Sequence, residues 1–446
     1  MGAWVEALLT LSVTMVAAAN APRTSTEPLI FLSAGEASGE RYGAALMEAM
    51  GRRLPGCRFF GLGGARMAEL GFRPVVRAED VAHMGITEVV RHAPYIYGQF
   101  QRLKRAIAAE RPALAVLIDF PDVNLRLAEH LHRHQIPVVY FVSPQLWAWK
   151  KRRIRRVQRF VDRMLVIFPF EEPFYRERGV AAEFVGHPLA DLAMPEVTRE
   201  GFARQHGLDA SKAWVALLPG SRQREVRLNL PTMLEAATTL GDTYQYLLPV
   251  APTLAPETVA AMMATQSSAV RPVLVHDARA ALFHARGSVV ASGTATVEAA
   301  LLGNPFVVVY RLSRLSYAIA RRFVTVPHVA MANLIAERRV VPELIQDEFT
   351  AANVVSALAP LLADGPARDG AMAGLREVRE RLRSNGEREG AIERVAHICI
   401  ELLTGNGSSL SSKAAGSSSG GVPNPGIPNT RREPERSVEP ASTYQA

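Results

Sequence analysis

Trp214-Val215-Ala216-Leu217-Leu218-Pro219-Gly220-Ser221-Arg222 is an apolar β-type run that stops at small residues and hands over to a helical pattern. Val289-Val290-Ala291-Ser292-Gly293-Thr294-Ala295-Thr296-Val297-Glu298 does the same further along. A glycine at such a joint lets the backbone approach a ligand closely. The helix that follows presents unpaired N–H groups and the positive end of its dipole to an anion. Two such joints in one half of the chain point to a diphosphate gripped between neighbouring strand-to-helix turns. Arg222 is placed to neutralise it bidentately.

Working outward, strand-length apolar runs alternate with amphipathic helical patterns along the whole chain. In the first half the expected strands are Leu29–Ser33, Arg58–Gly61, Ala113–Asp119, Ile136–Val142 and Met164–Ile167, with helices at Gly39–Met50, Tyr97–Glu110, Asn124–His134 and Lys150–Phe160. In the second half the strands are Trp214–Leu218, Tyr244–Leu248, Pro272–Val275, Ser288–Ala291 and Phe306–Tyr310. Its helices are Glu225–Leu240, Pro256–Thr265, Ala278–His284, Thr296–Leu302 and Ser316–Arg322. Continuous Val/Ile/Leu runs mean strands buried on both faces, hence parallel sheets covered by helices. The fold class is α/β, with two Rossmann-like doubly wound domains facing a cleft. Ligands in such sheets bind beyond the carboxyl ends of the strands. The first domain is expected over 28–190, the second over 191–374, and a closing helix over 375–404 packs back on the first.

The 446 residues suffice for two globular domains, and 48% apolar with 21% charged residues is ordinary for a core-forming protein. Cys57 and Cys399 are the two cysteines, in no metal-ligand or redox spacing, which fits a reducing compartment. Residues 1–27 read as an extension. Their apolar stretch is short for a membrane span, contains Glu6, and lacks the basic leader of a signal peptide. Residues 405–446 turn to Ser, Gly, Pro and mixed charge, a composition that cannot bury enough apolar surface to order itself. The net charge of +8 is concentrated in KKRRIRRVQRFVDR (150–163), where eight Lys/Arg face one Asp.

The first half opens with Ser33-Ala34-Gly35-Glu36-Ala37-Ser38-Gly39-Glu40 between a strand and a helix. Gly35 permits a tight turn near a ligand, and Ser38 is a candidate helix cap; a plain strand-to-helix turn explains the loop equally well. In Ile118-Asp119-Phe120-Pro121-Asp122-Val123-Asn124, Asp119 ends a buried strand and faces the cleft, where its carboxylate can take a proton from an attacking hydroxyl. A structural acceptor is the competing role for Asp119, and Asp122 reads as a cap. Ser143-Pro144-Gln145-Leu146-Trp147-Ala148-Trp149 leads into the basic run. Trp147 and Trp149 beside Lys150, Lys151, Arg152, Arg153, Arg155 and Arg156, with Ile154, Val157 and Val161 at helical spacing, read as an interfacial amphipathic segment for an anionic membrane surface. Each tryptophan taken singly fits a core position as well. No nucleic-acid module surrounds the run. His83–Val90 with Tyr95-Ile96-Tyr97 is a second apolar candidate, either a docking face or ordinary core. In the second half Glu298 lies about one turn into its helix, suited to a ribose hydroxyl or to the helix dipole, and Asn333 reads as an N-cap before a helix. The histidines show no metal-ligand clustering, and His187 lies at the domain junction.

Together these segments resemble the lipid-A-disaccharide synthase family, inverting glycosyltransferases of GT-B architecture. The matching stretches are SAGEASGE (33–40), GLGGARMAELG (61–71), MGITEV (84–89), IDFPDVN (118–124), SPQLWAW (143–149), FPFEEPFY (168–175), VGHPLAD (185–191), LLPGSRQREV (217–226) and ASGTATVEAAL (291–301), in order over most of 28–400. The resemblance implies transfer of 2,3-diacylglucosamine from its UDP conjugate to the 6-hydroxyl of 2,3-diacylglucosamine 1-phosphate, lipid X, without metal or cofactor. It implies Asp119 as general base and Arg222 as the group holding the departing UDP. Gly35, Glu36, Ser38, Ser143, Gln145, Gly220, Ser221, Gly293, Thr294, Glu298 and Asn333 then line the substrate and nucleotide. It also implies a peripheral, cytoplasmic-side position on the inner membrane, and a homodimer stays open. Two positions depart from the family pattern: Glu40 stands where Asp is usual, and Ala332 where Pro precedes Asn333. A UDP-sugar epimerase of the same architecture and a non-catalytic nucleotide-dependent membrane adaptor are the alternatives.

Overall fold

The computed structural model describes residues 27–82, 93–148, 153–266, 268–312, 317, 328–383 and 389–405. MGITEV, Trp149 to Arg152, the expected helix at 316–322 apart from Tyr317, and nearly all of both terminal extensions lie outside the described residues. The first sheet contains β1 (Leu29–Ala34), β2 (Arg58–Gly63), β3 (Arg73–Arg77), β4 (Leu114–Ile118), β5 (Val138–Phe141), β6 (Arg163–Val166) and β7 (Ala182–Phe184), in the order β3-β2-β1-β4-β5-β6-β7. The second contains β8 (Ala213–Leu218), β9 (Tyr244–Pro249), β10 (Val273–Val275), β11 (Gly287–Ala291), β12 (Phe306–Tyr310) and β13 (Glu343–Ile345), in the order β10-β9-β8-β11-β12-β13. Every paired strand is parallel.

Both sheets are thus doubly wound, and in each the chain reverses its direction of travel between two central strands: β1 and β4 in the first, β8 and β11 in the second. Such a switch point opens a crevice because the two following helices leave to opposite faces. Ala34 pairs with Ile118 and Leu218 with Val290, so the loops carrying Gly35 and Asp119 start side by side, as do those carrying Gly220 and Gly293. The inner strands β4 and β12 are deeply buried: Leu114 to Ile118 and Phe306 to Val309 show no exposure.

The sequence reading missed β3, β7 and β13, each an edge strand of three to five residues. Their pairing comes from the neighbouring strand, not from a long apolar run. The closing helix is two helices. Pro366–Arg381 packs against the second half's helices, while Ala391–Thr404 packs on the helix Ala37–Arg53 of the first half. Val395, Ala396, Ile398 and Cys399 supply the buried face of the latter. Arg52 and Arg53 pair with Glu393, Arg394 pairs with Glu183, and Asp191 accepts the Ala391 N–H at 2.6 Å.

Candidate functional site

Asp119 follows β4 directly and takes a left-handed backbone, φ 47°, as do Phe120 (φ 49°) and Val142 (φ 63°) at the end of β5. Non-glycine residues in this region carry strain that surrounding bonds must hold. Asn124 does much of that holding. Buried on the first turns of the helix Pro121–Arg133, it donates to the Asp119 carbonyl at 2.7 Å and the Ile118 carbonyl at 3.1 Å, and accepts the Ser33 hydroxyl at 2.6 Å. Tyr140 also donates to the Asp119 carbonyl, at 2.7 Å. One buried amide therefore ties the ends of β1 and β4 together across the switch point. Burial pushes the Asp119 carboxyl up to about 6; the Glu36 charge adds to this, and the Phe120 N–H opposes it. Gly35 is buried against the Phe120 ring, where a methyl group would overlap the ring carbons.

At the first joint of the second half Gly220 has φ 131° and Asn229 donates to the Pro219 carbonyl at 2.8 Å. Ser221 and Arg222 are exposed. Their N–H groups both donate to Glu225 Oε2, at 2.9 and 3.2 Å, and the Arg222 guanidinium lies 3.3 Å from Glu225 Oε1. At the second joint Gly293 (φ 153°) and Thr294 are exposed, and a methyl on Gly293 would meet nothing within 4 Å. The helix Thr294–Leu301 then carries the half-buried Glu298. Burial raises the Glu298 carboxyl, opposed by Arg41 from the first half and Arg279 from the second. Tyr42 feels both Glu298 and Asp119, so the two carboxylates share one neighbourhood although they belong to different sheets.

Several expectations are corrected. Ser38 makes no capping bond: Glu36 occupies the N-cap position, without a side-chain cap. Asp122 is not a cap either; Phe120 holds that place, and Asp122 pairs with Arg153 at 2.5 Å. Asn333 lies inside the helix Met331–Ala336 and is fully buried. Its carbonyl accepts the Val340 and Val341 N–H groups and its amide donates to the Val341 carbonyl and Glu343, so no capacity is left for a nucleotide in this arrangement. Ser143 is buried and gives its hydroxyl to Glu171 at 2.6 Å, while Gln145 beside it is exposed. Trp147 is no free membrane anchor: its indole N–H donates to Glu171 at 3.0 Å and its ring packs edge-on against Phe170. The basic helix runs from Ile154 to Phe160, and Val157 and Val161 face the core of the first sheet. Its apolar stripe is therefore spent inside the protein. Arg155 and Arg156 stay exposed. Tyr95 and Tyr97 are exposed on the helix Ala93–Glu110.

Sequence reasoning missed Asn124, Asn229, Glu171 and Glu343, whose partners are distant in the chain. Glu171 is the clearest case. Fully buried, it accepts Ser143, Trp147 and the Phe168 N–H, and burial pushes its carboxyl up to about 7 against those three donors. It fixes the 143–148 loop, helped by the Tyr175 hydroxyl on the Pro144 carbonyl at 2.9 Å. Glu40, the longer residue at a family Asp position, reaches the Arg66 N–H at 2.9 Å. His187 is buried and held neutral: burial lowers it to about 3, and its Nδ1 accepts the Leu189 N–H. Among the described residues there is no cluster of His, Cys, Asp or Glu able to hold a metal, and no helix long and apolar enough to cross a membrane.

A family model described as lipid-A-disaccharide synthetase matches residues 30–395. A lipid-A-disaccharide synthase of Acidobacterium capsulatum is 62% identical over 391 residues, covering 85% of this chain and 97% of that protein. One of Koribacter versatilis is 51% identical over 374 residues, covering 84% and 98%. Among solved structures, the glycotransferase of kitacinnamycin superposes with TM-score 0.55 at 15% identity, covering 86% of this chain and all of that one. The Listeria monocytogenes protein titled a putative UDP-N-acetylglucosamine 2-epimerase gives 0.56 at 12%, covering 85% and 97%. At such identities these two likenesses establish the two-sheet glycosyltransferase-and-epimerase fold and nothing finer.

Proposed function

Since the chain belongs to the lipid-A-disaccharide synthase family and is a glycosyltransferase, we propose that it joins UDP-2,3-diacylglucosamine to lipid X in the space between its two switch points. The lipid X 6-hydroxyl gives its proton to Asp119 as its oxygen bonds the anomeric carbon of the donor. The bond from that carbon to the β-phosphate oxygen breaks, and its electron pair leaves with UDP. Attack opposite the leaving group inverts the centre, giving the β-1,6 disaccharide 1-phosphate. Asp119 suits the base role because its carboxyl, raised to about 6, is mostly ionised at neutral pH yet basic enough to accept a proton in the transition state. Arg222 and the backbone amides of the exposed Ser221 and Thr294 suit a developing diphosphate charge once Glu225 gives way, with no metal or cofactor required. Glu298 is placed for the nucleotide's ribose.

The observation that carries this reading is Tyr42, which feels both Asp119 at the end of β4 and Glu298 on the helix after β11; Glu36 follows β1 beside Asp119, and the two glycine joints follow β8 and β11. The working units are 28–190 for acceptor and lipid, 191 to the end of the helix Pro366–Arg381 for the UDP-sugar, and the helix Ala391–Thr404 as the return to the first. The exposed Arg155 and Arg156, with Tyr95 and Tyr97, suit an anionic membrane at the cytoplasmic side by charge, not by insertion of the basic helix. The test incubates purified protein with both acylated substrates and follows the disaccharide phosphate by mass spectrometry. Wild type forms it, and Asp119→Asn and Arg222→Ala, folded by circular dichroism, form it far more slowly. Undiminished turnover by Asp119→Asn removes the base assignment. Isomerised UDP-sugar without disaccharide selects the epimerase, and no reaction with nucleotide-dependent vesicle binding selects the adaptor.

A further inference from the structure

The two glycine joints of the second half are unalike. At Gly293–Thr294 the space before the helix is open, and the helix has no acidic residue in its first turn. At Gly220–Arg222 a carboxylate already sits there. Glu225, on the first turn of the helix Gln223–Leu240, accepts the Ser221 N–H at 2.9 Å and the Arg222 N–H at 3.2 Å through one oxygen, and faces the Arg222 guanidinium through the other. These are the donors a phosphate would use. Gly220 serves this arrangement, since a methyl group there would lie 2.5 Å from Glu225 Cβ and Oε2. The glycine is thus explained by the internal carboxylate as well as by any ligand.

We propose that Glu225 is an internal competitor for the diphosphate, and so a residue that sets how tightly the donor and the UDP product are held. The inference rests on the nucleotide reading above. Two negative groups cannot share two amides and one guanidinium, so the donor's diphosphate binds by turning Glu225 out toward solvent. Glu225 is already one-third exposed, and no large rearrangement is needed. When the anomeric bond has broken, return of Glu225 to the amides helps expel UDP. A ligand that must displace a resident group binds more weakly by the fraction of sites left free.

Titration calorimetry of UDP into the full-length protein tests this, with Glu225→Gln, Glu225→Ala and Arg222→Ala beside wild type. Both Glu225 variants should bind UDP roughly 3- to 10-fold more tightly. Donor KM should fall with UDP affinity, and kcat should fall as product release slows. Glu225→Gln keeps a side-chain acceptor for the helix end, so it reports even where Glu225→Ala melts too early to titrate. UDP affinity that is unchanged or weaker in Glu225→Gln, while Arg222→Ala still loses UDP, reduces Glu225 to a helix cap and leaves the nucleotide site standing. UDP affinity untouched by Arg222→Ala overturns the nucleotide site and this proposal with it.

Discussion

Asp119 and Glu36 make a pair whose charges can be separated by experiment. Burial, with the Glu36 charge at the end of β1 adding to it, raises the Asp119 carboxyl to about 6. Tyr42 and Tyr140, on opposite faces of the first sheet, both feel Asp119, but both stay neutral over the working range because burial raises their hydroxyls. The base must be ionised to act, so kcat/KM rises with pH through about 6 and is flat above it. At pH 5 it should lie roughly tenfold below its plateau, one pH unit under the midpoint corresponding to about a tenth of the enzyme in the ionised form. Glu36→Gln removes a like charge and should move the midpoint down, leaving Asp119 the better ionised at pH 5. Asp119→Asn should cost about 10²- to 10⁴-fold at every pH. The assay is UDP release against pH, with substrate kept below KM so that the free enzyme is read. An acid limb that stays in place in Glu36→Gln, or persists in the residual activity of Asp119→Asn, would refute the assignment of that limb to Asp119.

Gly35→Ala should drive the Phe120 ring off its place and shift Asp119 with it, lowering turnover far more than calorimetric UDP affinity; equal losses in both would point to general unfolding. Glu171 takes up a proton on folding, its carboxyl raised from 4.5 to about 7, so its contribution to stability is greatest below about 4.5 and falls as pH rises to about 7. The wild-type melting temperature should therefore drop relative to Glu171→Gln across that window, by an amount equivalent to at most about 3 kcal/mol, and parallel pH profiles would contradict it. Ile398→Ala, in the helix that returns to the first half, should cost about 2–4 kcal/mol in denaturant titrations. Arg155→Gln with Arg156→Gln should weaken sedimentation with anionic vesicles at low salt and matter little at high salt; unchanged partitioning at both would remove the membrane role of this helix.

The chain's own pattern determined the alternation of parallel strands and helices, the two glycine joints and the placing of Asp119 at a strand end. These are local properties: a run of Val, Leu and Ile long enough to be buried on both faces, then a break at small residues. The β-strands it missed are three to five residues long and carry Arg73, Arg77, Glu183 or Glu343, so no period stands out. Tertiary structure alone decided which polar groups are spent inside. Ser33 finds Asn124 91 positions away, and Ser143 finds Glu171 28 positions away. Asn333 looked available because its neighbours Val340, Val341 and Glu343 become its partners only when the short helix folds back over β13. The basic helix looked ready for a membrane for the same reason: its apolar stripe fits a bilayer or a sheet equally, and only packing assigned Val157 to the sheet. A hydrogen-bonding or apolar surface in a sequence is an offer, and the partner that takes it is fixed by distances the local pattern does not contain.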